Sequence, residues 1–322
     1  MWNNLPPEVD LAALGYFDRL MRKAHLADPN YIPDFSHSST LLIASDFTGE
    51  QKTSPFQCFT FVLSTAHAWH WWNHRRRELR RHFRLGRRRI SYSKLRDTRK
   101  SAALFPFLFA ANTIPGIAVT LLIDKRIQSM FLLKGRLKPG EIAGMDFSAW
   151  RPSVFERMMR ATHFLALFVA ATSSPGQNVI WISDEDEIAA NADRLRQLTH
   201  AFGHIMSNLL PHTMGHLRVG TTGTTDSGEL EMEDFAALPD LIGGAINESM
   251  SAYERAGVVL SSTIISPPPT PLPGKVHDLM DALFDDAAAL RKLVVRVTPV
   301  EGSTVINFTE IKSHSEPRLV MP

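Results

Sequence analysis

Three aspartates close apolar runs in this sequence: Asp46 after Leu41-Leu-Ile-Ala-Ser, Asp124 after Val119-Thr-Leu-Leu-Ile, and Asp184 after Val179-Ile-Trp-Ile-Ser. Short apolar, β-branched runs of this kind read as buried strands. Where such strands run parallel in an α/β sheet their carboxyl ends share one edge, so acids far apart in the chain can converge there. A fourth acid, Asp240, stands in Leu238-Pro-Asp-Leu-Ile-Gly-Gly-Ala245, whose small residues let a helix lie close to a sheet. Crowded carboxylates repel one another until cations neutralise them, and their hard oxygens suit Mg²⁺ or Mn²⁺. Two such ions about 4 Å apart can activate a water and stabilise the leaving oxygen of a phosphodiester. The plainer reading is that aspartate ends strands because it initiates turns. Three strand ends and one tight helix together favour a shared site.

A second cluster is basic. His74 to Arg89 holds nine arginines in sixteen residues and follows Trp69, Trp71 and Trp72. Arg75, Arg76, Arg80, Arg84, Arg87 and Arg88, with Lys94 beyond them, are candidate contacts to nucleic-acid phosphates, and the tryptophans could stack on bases. The alternative is a solvated helix whose arginines pair with acids of this chain or of a second subunit in a homodimer. His200, His204, His212 and His216 recur at intervals of four but carry no HExxH signature, so a structural or surface role is expected for them. The same role is expected for His67, His70 and His74. Gly220-Thr-Thr-Gly-Thr-Thr-Asp-Ser-Gly228 lacks the Gly-Lys-Ser/Thr ending of a phosphate-binding loop and is read as a plain loop.

The background against which these clusters act is globular. The 322 residues are 44% hydrophobic and 21% charged, which excludes a long disordered acidic or Gln-rich tract. A net charge of +2 hides an asymmetry: residues 67–100 carry thirteen Lys/Arg against Glu78 and Asp97, and the remainder carries 22 positive and 31 negative charges. Cys58 is the only cysteine, so neither an intramolecular disulfide nor a multi-cysteine zinc site is available. With no secretory pattern at the start, a cytoplasmic location is expected. Ser101 to Ile123 is uncharged for 23 residues, the length of a spanning helix, but Pro106, Asn112, Thr113, Pro115 and Gly116 divide it. Helix, turn and strand are expected there, with no membrane.

The positioning elements alternate. Helices are expected over Val9–Leu26, Ala66–Arg84, Thr98–Thr113, Pro152–Ala171, Glu185–Leu210 and Glu233–Arg255. Strands are expected at residues 40–46, 56–63, 89–93, 117–124, 178–184 and 216–221. This order predicts an α/β fold with a mixed or parallel sheet flanked by helices. The expected division is an N-terminal helical extension over 1–39, a core over 40–265 with a basic helical insertion at 66–89, and a linker at 266–274 with five prolines in nine residues. A small C-terminal α+β appendage over 275–322 completes it, with a helix over Val276–Lys292 and a hairpin of residues 293–298 and 304–309.

Asp46-Phe-Thr-Gly49, Ser91-Tyr-Ser-Lys94-Leu, Ile123-Asp-Lys125, Trp181-Ile-Ser-Asp184 and Leu238-Pro-Asp240-Leu-Ile-Gly-Gly-Ala follow one another between Leu41 and Glu248. In that order they resemble the bacterial family called domain of unknown function 3800. The resemblance implies a ribonuclease H-like fold in which Asp46 is the first-strand metal ligand, Asp184 a later strand ligand and Asp240 the ligand on the last core helix, accompanied by Asp124 and Lys94. Phe47 departs from the pattern, since the family usually has Glu there, and Glu50 or Glu185 would have to substitute. The expected activity is metal-dependent cleavage of DNA or RNA with Mg²⁺ or Mn²⁺. The missing Glu favours a rival, a catalytically degenerate ribonuclease H-like module that binds nucleic acid or protein in a defence or mobile-element setting. A hydrolase of a small phosphorylated molecule is a third expectation, with a closed pocket as its sign.

Overall fold

The apolar runs do become strands, and the amphipathic segments between them cover both faces of the sheet. The computed structural model describes residues 2–3, 12–130, 139–226, 228–258, 263–266, 272–285, 288–300 and 303–313. In chain order the elements are α1 (Ala12–Ala27), β1 (Thr40–Thr48), β2 (Phe56–Thr65), α2 (Ala66–His82), α3 (Thr98–Asn112), β3 (Gly116–Asp124) and a small hairpin of β4 (Glu141–Ile142) and β5 (Met145–Asp146). There follow α4 (Pro152–Thr172), β6 (Asn178–Ser183), α5 (Ala192–Leu209), β7 (Leu217–Thr221), the single turn α6 (Thr222–Thr225), α7 (Glu231–Arg255), β8 (Thr263–Ser266), α8 (Gly274–Leu283), β9 (Leu290–Val300) and β10 (Ser303–Ser313).

Among the described residues, eight strands form one mixed sheet in the order β7-β6-β1-β2-β3-β9-β10-β8. β1, β2 and β3 are an antiparallel meander, and β6 and β7 continue it in parallel with β1. Parallel neighbours need crossovers, and α4 and α5 supply them. The period-2 alternation of strands sorts the core into two layers. Leu41, Ile43, Phe59, Phe61, Val119, Leu121 and Trp181 belong to the layer built with α1, α4 and α5. Leu42, Ala44, Cys58, Val62, Ala118 and Leu122 belong to the layer built with α2, α3, α7 and α8. The expected α/β class with helices flanking a mixed sheet is therefore met.

Several expectations need correction. Residues 89–93 are not a strand: a 3₁₀ turn forms at Tyr92–Lys94, because the Tyr92 N–H donates to the Asp240 carboxylate (2.8 Å) instead of to a neighbouring strand. Helix α5 begins at Ala192 and not at Glu185, since Asp184 and Asp186 turn the chain by accepting the N–H groups of Glu185 (2.8 Å) and Ile188 (3.0 Å). The expected appendage is part of the main sheet, with β9 running parallel to β3 in the register Gly116↔Leu290 to Ile123↔Val297. Of the proline-rich segment, residues 267–271 lie outside the described residues, and α8 ends at Leu283, before the expected Lys292. Ser101 to Ile123 divides into α3 and β3 as expected, and no helix among the described residues is long and apolar enough to cross a membrane.

Candidate functional site

The parallel pairing of β1 with β6 puts Ser45 opposite Ser183, so Asp46 and Asp184 are the next residues on adjacent strands. Adjacent strands are about 4.8 Å apart, which makes the two acids neighbours. The Ser45 and Ser183 hydroxyls meet at 3.4 Å within the sheet, and the next residue of β1, Asp46, continues the row of Leu42 and Ala44 that faces α7. Helix α7 can come close because Gly243 packs on Thr60, the cross-strand partner of Asp46; a Cβ at Gly243 would lie 2.5 Å from the Thr60 hydroxyl. Asp240 lies three residues earlier on that helix, over the strand ends. Asp46, Asp184 and Asp240 line one cavity of about 240 Å³ together with Glu233, Arg89 and Lys94. Three of these four acids are ones the sequence singled out, and Glu233 is one it did not. It lies seven residues before Asp240, two helical turns away on the same face, and that interval was the available signal.

Charge at this site is poorly compensated. Burial pushes the Asp46 carboxyl well above the usual range, and the carboxylates of Asp240, Asp184 and Asp186 push it further. Burial also raises Asp240, to about 6, although the Tyr92 N–H and Lys275 act against the rise. Asp186, not singled out in the sequence, is raised to about 7 by burial, and its Oδ2 is buried without a hydrogen-bond partner among the described residues. Glu233 is raised by burial in spite of Arg89, whose Nη2 lies 2.8 Å from its carboxylate. As the side chains stand, no three His, Cys, Asp or Glu groups among the described residues are close enough to hold a metal ion between them. Asp240 is turned to the Tyr92 N–H, and like charges without a cation keep apart. The donor set nevertheless suits a hard divalent cation: all-oxygen, convergent, and short of positive charge.

Asp124 is not part of this cluster. Asp46 is in register with Thr60 and Thr60 with Thr120, so Asp124 lies four residues further along β3 and on the far side of β2. At about 3.3 Å per residue the offset along the strand alone is about 13 Å. Its carboxylate instead takes the Arg126 guanidinium (2.5 and 3.0 Å) and backbone N–H (2.8 Å). Burial pushes this carboxyl up, but the Arg126 hydrogen bonds outweigh it and leave it below the usual range. Neither expected substitute for the family Glu joins the acids: Glu50 pairs with Arg157, and Glu185 accepts from the Thr221 hydroxyl (3.2 Å). Phe47 itself points into the opposite layer, against Phe59 and Phe61.

The basic segment divides in two. Arg76 is fully buried and donates to Asn73 (2.7 Å), the Glu229 carbonyl (2.9 Å) and Asp234 (3.1 Å), and Arg80 makes a two-pronged pair with Asp234 (2.6 and 2.5 Å). These two hold α2 to α7 and, being buried or paired there, are not exposed contacts along a nucleic-acid backbone. Arg75, Arg84, Arg87, Arg88 and Lys94 are exposed; Arg75 stacks 5.1 Å from the Trp71 ring centroid, and Arg88 approaches Asp97 at 3.8 Å. Trp72 is core, Trp69 donates to Glu231 and packs on Phe235, and Trp71 remains 54% exposed, so one tryptophan of three is open for stacking. Of the histidines, His200 lies against the Ile142 and Ala143 carbonyls and His212 against the Ser173 carbonyl. Cys58 is buried with its thiol pushed up to about 12, which leaves it unreactive. No family model matches the chain, and no curated protein matches it.

Proposed function

We propose that this protein is a metal-dependent nuclease of ribonuclease H-like architecture, related to the domain of unknown function 3800 family. The observation that carries the reading is the convergence of Asp46, Asp184, Asp240 and Glu233 on one small cavity with no cationic partner for Asp46 among the described residues. The meander continued by two parallel strands, with the acids at the ends of β1 and β6 and on α7, supports the ribonuclease H-like part. Asp46, Asp184 and Asp240 would hold Mg²⁺ or Mn²⁺, with Glu233 as the fourth carboxylate in place of the Glu that Phe47 replaces. When bound, such ions supply an activated water and charge stabilisation at a phosphodiester. Arg89 holds Glu233 in orientation, Lys94 stands at the cavity mouth to meet a phosphate, and Arg87 and Arg88 continue the positive surface along which a nucleic-acid backbone would run.

The test is Mn²⁺-dependent cleavage of single- and double-stranded DNA and RNA by the full chain, with Mn²⁺ binding measured in parallel. Asp46→Asn is expected to abolish cleavage and to weaken Mn²⁺ binding. Cleavage that persists undiminished in this variant removes the reading. A chain that binds nucleic acid but neither captures Mn²⁺ nor cleaves is the degenerate binding module that Phe47 favours.

A further inference from the structure

Away from the carboxylates, the C-terminal half of α2 and the turn after it form a concave basic bowl of about 700 Å³ facing the residues just before α7. Its arginines are Arg76, Arg77, Arg80, Arg81, Arg84 and Arg87. Three carboxylates oppose these six groups: Glu229 on the rim, Asp234 with Arg76 and Arg80, and Glu231 at 3.8 Å from Arg76 and 4.0 Å from Arg77, which leaves an excess of three positive charges. The chain is bent to make the bowl. Arg84 is in the left-handed region (φ 49) and Gly86 follows with φ 55, so that Arg87 returns over the end of α2. A left-handed arginine is strained, so other interactions must hold the turn. The α7 N-terminus is already satisfied, because Asp226 accepts the N–H groups of Leu230 (3.0 Å), Met232 (3.1 Å) and Glu233 (3.3 Å). Recognition in the bowl therefore falls to guanidinium groups.

A second, independent observation concerns Arg76. Its side chain is completely buried at the bowl, and its Nη2, 3.8 Å from Glu231, has no hydrogen-bond partner among the described residues. A buried donor without a hydrogen bond is costly even where its charge is paired, and an anion seated in the bowl would supply that bond. A phosphodiester carries one charge, whereas a phosphate monoester carries close to two and offers three oxygens to forked donors. We infer that the bowl is a binding site for a phosphate monoester, recognised by Arg84 and Arg87 at its rim and Arg76 at its floor, and that it receives the phosphorylated end of a nucleic acid. The source of the phosphate rests on the nucleic-acid reading above; the site itself does not.

Calorimetry on the full chain at fixed salt tests this with inorganic phosphate, pyrophosphate, and oligonucleotides of one sequence ending in 5′-phosphate, 3′-phosphate or hydroxyl. Pyrophosphate is expected to bind saturably, and one phosphorylated end to bind about tenfold tighter than the hydroxyl end, as one charged hydrogen bond would give. Both effects should vanish in Arg84→Gln/Arg87→Gln, whose exposed side chains carry no core packing, and the end preference should persist in Asp46→Asn. Binding of the inorganic ions without an end preference supports the site and assigns it to a small phosphorylated molecule. Loss of the preference in Asp46→Asn gives end recognition to the acid cavity and overturns the proposal, as does failure of the wild-type chain to bind any phosphorylated probe. None of these outcomes depends on cleavage, so the nuclease reading stands or falls separately.

Discussion

At the scale of single residues, the acids of the cavity are held against their own chemistry. Asp240, raised to about 6 chiefly by burial, binds more protons in the folded chain than in the unfolded one between about pH 4 and pH 6. Its ionisation therefore opposes folding, fully so above pH 6, and the opposition fades as the pH falls through that window. Asp46 shifts in the same direction, whereas His163, lowered by burial to about 4, loses stability on acidification and would mask the trend in the wild type alone. The difference between Asp240→Asn and wild type isolates it, because the amide oxygen can still accept the Tyr92 N–H. In metal-free buffer the variant is expected to be more stable than wild type by roughly 2–3 kcal/mol at pH 8, with about half of that gap left at pH 5. Denaturant midpoints at the two pH values check this, and an unchanged gap would mean that burial of the charge is not the cause. Legibility at this scale followed backbone register: Asp46 and Asp184 each close an apolar run just after a serine, and those serines are paired across β1 and β6, so the two acids became neighbours. Asp124 obeys the same local pattern, but β3 overshoots the row of Asp46, and no local signal records how far a strand runs past its partner.

At the scale of elements, α7 decides whether the site exists, since it carries Asp240 and Glu233 and approaches the sheet through Gly243. The glycine after it has a separate task. A Cβ at Gly244 would overlap the Tyr92 ring, which is also covered by Lys275 (3.8 Å from the ring centroid) and whose hydroxyl bonds to Glu248. Tyr92 in turn presents its N–H to Asp240. Gly244→Ala is expected to cost about 1–3 kcal/mol through overpacking, in spite of the better helix propensity of alanine. If the proposed nuclease reading holds, it should also lower cleavage by displacing the turn at Tyr92. A stability equal to wild type in thermal melts would show that the turn yields freely. The sequence exposed the small residues of α7 but not their partner, because the segment at 89–93 has the composition of a strand. What overrode that composition was a single carboxylate competing for its backbone donor.

At the scale of the whole molecule, the clearest departure from the sequence reading is the C-terminal segment. A proline-rich stretch before it and a short helix–hairpin pattern within it suggested an appendage, yet β9 fills the edge of β3 and buries Leu290, Leu293, Val294, Val295 and Val297 between the two helical layers. Linker composition reports what precedes a segment, whereas docking depends on an open, apolar strand edge elsewhere in the chain, and β3 is buried along all of its nine residues. Two variants separate the alternatives. A chain ending at Ser266 exposes the β3 ladder and its flanking core, and it is expected to lose cooperative unfolding and to aggregate through that edge. Leu290→Ala, which removes a side chain packed against Gly116 of β3, should lower stability by about 2–5 kcal/mol while keeping a single transition. If the shortened chain instead stays soluble and melts cooperatively near the full-length temperature, the core ends at β7 and α7, and β9 and β10 are dispensable to the acid cavity.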